Sequence, residues 1–177
     1  MSNRHVQLVS LAVGIFVAAV SPSAAQSPRP SQHAGVVQSV GRTEIRIDYS
    51  RPVARGRPLF GALVPWGKSW NPGADSATRI QVSTSVRVNG KPLPAGEYSL
   101  WAIPDSSAWT IIFSKAAHVY HAPYPEGQDV LRIRVAPRSG THMETLGLYF
   151  PLVDGNVAIL HLHWGTTVVP LTIEGQQ

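Results

Sequence analysis

Apolar and polar residues alternate along most of this chain, in short stretches cut by turn residues, and that period points to an antiparallel β fold. In Thr43 to Tyr49, the residues Ile45, Ile47 and Tyr49 share one face of an extended chain, while Glu44, Arg46 and Asp48 share the other. Val130 to Val135 repeats the pattern, with Leu131, Ile133 and Val135 opposite Arg132 and Arg134. Arg79 to Ser83, Val86 to Val88, Lys91 to Leu93, Glu97 to Ile103 and Trp109 to Phe113 read as further strands. Asn89-Gly90 between two of them is a strong hairpin signal, because both central positions of the tightest hairpin turn need φ > 0. Pro94-Ala95-Gly96 and Pro104-Asp105-Ser106-Ser107 mark other turns. Met143 to Phe150 and Val157 to Trp164 read as a hairpin around Asp154-Gly155, and Thr167 to Ile173 as a closing strand. Lys115 to Asp129 is the least strand-like stretch, a loop with room for one helical turn. The whole predicts an all-β chain, a two-layer antiparallel β-sandwich. Its predicted core holds Ile45, Ile47, Leu100, Ile111, Phe113, Leu131, Ile133 and Leu162, each at the apolar phase of its segment.

The first residues follow a different pattern. Arg4 and His5 precede an apolar run, Val6 to Val20, and Ser23 and Ala25 then fit the narrow subsites of a signal peptidase. This predicts a signal peptide over 1–25, cleaved after Ala25. The run is shorter than the roughly 20 residues a spanning helix needs, so a retained anchor fits less well. No transmembrane segment is expected after its removal. Residues 26–34, rich in Ser, Pro and Gln, read as a flexible leader, and 35–174 as a single β-sandwich domain. A periplasmic or secreted location is the expectation. The chain has no cysteine, so burial rather than disulfides must hold the fold, and thiolate ligands and a cysteine nucleophile are ruled out. Its net charge of +5 comes from basic residues scattered among strands without a run, which argues against a nucleic-acid partner.

The segment from Arg51 to Thr78 breaks the alternation. It is full of Gly and Pro yet carries Phe60, Leu63, Val64, Trp66 and Trp70. Such a segment is either a packed loop or a binding loop. For binding, Arg51, Arg55 and Arg57 can hold a carboxylate or phosphate, with Trp66 or Trp70 as a stacking wall. The contacts expected on that reading are Arg51, Arg57, Trp70 and Asp75, and the ligand a glycan, an anionic small molecule or an envelope protein. For packing, the aromatics plug the open end of the sandwich and an Arg pairs with Asp75 or Asp48.

Several stretches together resemble a known family. They are Ser50-Arg51-Pro52, Gly56-Arg57, Leu59 to Gly67, Trp70, Gly73-Ala74 and Ala77-Thr78, then Leu93 to Leu100, Ile103-Pro104, Trp109 to Phe113 and Leu162 to Gly165. With these the chain resembles a family of exported bacterial domains known as domain of unknown function 2911, over nearly all of its mature length. The resemblance implies an exported, largely β domain with no assigned activity. Where that family reads Arg-Thr-Gly-Ala-Asn-Glu-Ala-Thr, this chain reads Asn71-Pro72-Gly73-Ala74-Asp75-Ser76-Ala77-Thr78. The departures at Asn71 and Ser76 remove one cation and one carboxylate, that at Asp75 adds a carboxylate one position earlier, and that at Pro72 changes no charge.

A second constellation is His161-Leu162-His163. Residues two apart on a strand point the same way, so both imidazoles project from one face. An even-length turn at Asp154-Gly155 pairs Leu148 with His161 and Leu146 with His163, which puts Glu144 on that face as well. His161, His163 and Glu144 would then suit Zn²⁺ or another divalent ion, the alternative to a module with no cofactor. An odd turn moves the pair to the other face. Nucleophilic catalysis has little support, since there is no G-x-S-x-G, phosphate loop or dinucleotide fingerprint. The expected function is therefore a binding or structural module of the bacterial envelope rather than an enzyme.

Overall fold

The computed structural model describes residues 31–177. The signal peptide expected over 1–25 lies outside them. Ten strands form β1 (Gln32–Val40), β2 (Thr43–Arg51), β3 (Arg79–Val82), β4 (Val86–Val88), β5 (Lys91–Leu93), β6 (Gly96–Ile103), β7 (Trp109–Ser114), β8 (Asp129–Val135), β9 (Arg138–Asp154) and β10 (Val157–Glu174). They pair antiparallel in two sheets, one ordered β1-β2-β3-β6-β7-β8 and the other β5-β4-β10-β9. The described residues contain no helix, and none is long and apolar enough to cross a membrane.

The sheets pack through the residues that alternation marks. Ile45, Ile47, Leu100, Ile111, Phe113, Leu131, Ile133 and Leu162 are all buried in one cluster, with Leu146, Leu148 and Trp164 contributed by the smaller sheet. A second cluster of Trp101, Ile112 and Ala77 lies apart from it, with Val119 and Tyr124 packed on. Lys115 to Asp129 thus packs as a cover that contains bends and turns but no helical turn. Asn89 (φ 46) and Gly90 (φ 76) make the expected turn between β4 and β5.

Two boundaries differ from the expectation. β1 already includes Gln32, His33 and Ala34, which composition assigns to the leader; they pair with Arg51, Ser50 and Tyr49. An edge strand extends as far as its neighbour offers backbone partners, whatever its own composition. In the β9–β10 hairpin the turn residues are Gly155 and Asn156, and the ladder then shifts between Ile159 and His161. His161 pairs with Tyr149 and His163 with Gly147, not with Leu148 and Leu146. The turn one residue later than expected moves the pairing two residues along β9, and an extra residue on β9 takes it one back; nothing in the hydrophobic pattern announces that bulge.

Candidate functional site

The loop of residues 52–78, between β2 and β3, fixes the geometry of the candidate site. It forms one isolated bridge to each sheet, Val53 to Thr145 on β9 and Trp70 to Ala102 on β6. Leu59 is seated over Gly165, where a side chain would come within 2.9 Å of its Cδ1 and where φ is +59. Phe60 and Trp70 pack against the core. Trp70 stacks on Trp164, at 6.0 Å between ring centroids and 12° between planes. Phe60 meets Trp109 edge-on at 4.7 Å. In this respect the packed reading of the loop holds.

Residues 71–78 are held from inside. Asn71, 1% exposed, donates from Nδ2 to the carbonyl of Leu100 at 2.8 Å, and its Oδ1 accepts from Thr78 N at 3.0 Å. Thr78 Oγ1 donates to the carbonyl of Pro72 at 2.8 Å. Both side-chain ends of a buried amide are satisfied, which is what lets an irregular backbone sit inside the sandwich end.

The start of the loop is where structure and chemistry part. Arg51 is half-buried and donates from Nε to the carbonyl of Leu146 at 2.9 Å. It joins the two sheets rather than facing a ligand. Arg55 (φ 53) and Gly56 (φ 67) form a turn closed by Arg57 N donating to Ala54 O at 3.1 Å. Two successive positive φ values are the signature of a type I′ turn, whose first central position normally holds Asn, Asp or Gly. Here it holds an arginine. Glu144 pins the turn: its Oε1 accepts from Arg55 N at 2.5 Å, and its own carbonyl accepts from Ala54 N at 2.8 Å. The Arg57 side chain folds back on the same turn, donating to Ala54 O at 2.8 Å and Val53 O at 2.7 Å. The Arg55 guanidinium is exposed and has no partner among the described residues.

A cleft of about 350 Å³ opens beside this turn. Arg55, Arg57 and His121 bring its basic groups, and Leu63, Trp70 and Trp164 its apolar wall; among the described residues no carboxylate lines it. A second cleft, of about 430 Å³, is lined by His33, Asp48, Asp75, Arg79, His118 and Tyr120 among others. There Arg79 lies between Glu97 at 3.2 Å and Asp48 at 3.7 Å. His118 Nε2 is 3.0 Å from Glu97, and His33 Nε2 is 3.8 Å from Asp48.

Of the expected ligand contacts, then, Arg57 and Trp70 meet in the basic cleft, Asp75 lies in the mixed one, and Arg51 is taken up between the sheets. Arg55, Trp164 and His121 complete the basic cleft. The signal for Arg55 was present as Val53-Ala54-Arg55-Gly56-Arg57, a turn dipeptide with a cation where a turn former belongs.

The metal set does not assemble. His161 and His163 do share a face, but Tyr149 stands with them, its hydroxyl 2.9 Å from His163 Nδ1 and 3.4 Å from His161 Nδ1. His163 Nε2 is 3.0 Å from the carbonyl of Thr141, to which it donates. Burial, then the His163 neighbour and Arg138, push the His161 pKa down. Glu144 instead pairs with His142 Nε2 at 2.9 Å. That hydrogen bond, then the one from Arg55 N, holds its carboxyl below the ordinary glutamate range. Among the described residues no three His, Cys, Asp or Glu side chains are grouped to hold a metal ion.

The model of a family described as Protein of unknown function (DUF2911) matches residues 31–173, nearly the whole sandwich. No curated protein matches the chain, and no solved structure does.

Proposed function

For a chain that belongs to the DUF2911 family, whose description assigns no activity, we propose an exported binding module of the bacterial envelope that takes an anionic ligand in the basic cleft. The ligand carries a carboxylate or phosphate on a flat apolar body. One observation carries this reading: Arg55 sits in a left-handed conformation at the lip of a cleft that no carboxylate of the described residues lines, its guanidinium without a partner among those residues. Left-handed backbone costs an L-residue roughly 1–2 kcal/mol, which Asn or Gly would reduce or avoid. A side chain kept there at that cost and making no hydrogen bond or ion pair among the described residues is available for a ligand. Arg57, already oriented by its turn, adds a second guanidinium, and half-buried Trp70 supplies the apolar surface, backed by Trp164 in the core. Arg is suited to this because its planar fork fits a carboxylate or phosphate in two parallel hydrogen bonds.

Tryptophan fluorescence tests the proposal, since two of the rings line the cleft. Benzoate should shift the emission saturably, its neutral analogue benzyl alcohol should not, and Arg55→Asn should abolish the benzoate response. Equal responses to the two compounds, or a benzoate response untouched by the substitution, would remove the anion reading. The export part rests on residues 1–25 and is checked by the N-terminus of the protein recovered outside the cytoplasm, expected at Gln26.

A further inference from the structure

A third cleft, of about 420 Å³, shares Arg57 and Trp164 with the basic one, and adds Phe60, Trp66, His142 and Thr166 among its own side chains. Among the described residues no carboxylate lines it. Trp66 is the member that burial does not account for. Its side chain is 47% exposed and belongs to neither core cluster. The loop is nevertheless shaped to hold it. Residues 59–64 turn back on themselves, with Gly61 N donating to Val64 O at 2.9 Å and Val64 N to Leu59 O at 2.8 Å. Gly61 has φ +85, and a Cβ there would overlap the pyrrole part of the Trp66 indole. Glycine is therefore needed twice, for the backbone and for the ring that settles on it. Phe60 supports the same ring, at 6.3 Å between centroids and 35° between planes. An indole fixed in this way is a standing aromatic wall of the cleft.

The polar part of the lining comes chiefly from β10. Its ladder with β9 shifts on both sides of Gly165, and Thr166 has no partner in that ladder. Irregularities of this kind re-aim side chains and recur beside binding sites. The hydroxyls of Thr166 and Thr167 make no hydrogen bond among the described residues. His142 uses Nε2 on Glu144 and has Nδ1 left over. Arg57 uses Nε and Nη2 on its own turn and has Nη1 left over.

We infer that this cleft binds a pyranose sugar, with the C–H face of the ring on Trp66 and its hydroxyls at Thr166, Thr167, His142 and Arg57. The match is chemical. A pyranose presents a flat face of C–H groups and a rim of hydroxyls that both donate and accept. The cleft sets one flat aromatic beside hydroxyls, a ring nitrogen and a guanidinium N–H, which meet such a rim on both counts. A wholly apolar ligand would desolvate those polar groups without partners. The volume lies within the usual range for a small-molecule site, about 300–1,000 Å³. The inference stands apart from the anion site, whose deciding residue, Arg55, does not line this cleft.

Saturation-transfer NMR with methyl β-glucopyranoside, sorbitol and cyclohexylmethanol tests it. The glucoside carries both face and rim, sorbitol the hydroxyls without a rigid face, and cyclohexylmethanol a face with one hydroxyl. Transfer to the glucoside ring protons should be saturable, and the other two should bind at least about tenfold more weakly. Trp66→Ala should weaken glucoside binding about tenfold, and Trp66→Phe, which keeps a flat ring, by less. Thr166→Ala should weaken it roughly fivefold, the worth of one hydrogen bond. Circular dichroism checks each fold; should Trp66→Ala fail to fold, Trp66→Phe and Thr166→Ala carry the test. The sugar assignment is overturned by an absence of saturable transfer to the glucoside. It is overturned equally by sorbitol or cyclohexylmethanol binding as tightly, or by glucoside affinity that none of the variants changes.

Discussion

Replacing Arg55 by Asn should stabilise the fold while destroying the proposed site. The guanidinium is exposed and makes no hydrogen bond or ion pair with another described residue, so the fold loses none with it. The backbone hydrogen bond from residue 55 to Glu144 and the closing bond from Arg57 to Ala54 remain possible. What changes is the strain at φ 53. Left-handed backbone costs an ordinary L-residue roughly 1–2 kcal/mol, and Asn, the favoured partner of Gly in this turn, recovers part of it. A gain of about 0.5–1 kcal/mol is expected, or a rise in Tm of about 1–4 °C for a domain of this size. Arg55→Ala is the control, because Ala keeps the strain and removes only the side chain; its stability should match the parent within about 0.5 kcal/mol. Urea unfolding followed by circular dichroism measures both. If Arg55→Ala is destabilised by more than about 1 kcal/mol, the guanidinium has a structural partner and the argument for a free binding group fails.

Three other outcomes follow from the same geometry. Asn71→Ala should lower stability by about 1–3 kcal/mol in urea unfolding, because it leaves the Leu100 carbonyl and the Thr78 amide without their partner inside the fold. Glu144→Gln should be less stable than the parent at neutral pH. The Glu144 carboxyl is held below its ordinary range, so its contribution is present above the unfolded glutamate pKa and is lost as pH falls through the lower folded value. Parent and variant curves should therefore converge in acid; a constant gap across pH would show that the charge plays no part. Calorimetric titration with Zn²⁺ should give equal responses from the parent and from a His161→Ala, His163→Ala double variant, because Glu144 faces His142 and the imidazoles face Tyr149. Tight binding lost in the double variant would contradict that arrangement.

Alternation alone determined the class of fold and most of the core. Each of Ile45, Ile47, Ile111 and Ile133 is buried because a period of two leaves only one face for the apolar residues, and a sandwich is how such faces are covered. The Asn89-Gly90 turn was equally local, since its φ requirement is written in two residues. The loop's aromatics and arginines could be named from the sequence, but their roles could not. Arg51 and Arg57 look alike in the chain. Only tertiary packing gives Arg51 the Leu146 carbonyl of the opposite sheet, gives Arg57 its own turn and leaves the Arg55 guanidinium without a partner among the described residues. Register was settled the same way. The turn at Gly155-Asn156 and one extra residue on β9, neither legible in the pattern, together move His163 from Leu146 to Gly147, while Glu144 closes on His142 and the Arg55 turn. Side-chain period is a local property and survives in sequence; which backbone group meets which side chain across some ninety residues depends on how the two sheets are laid against each other.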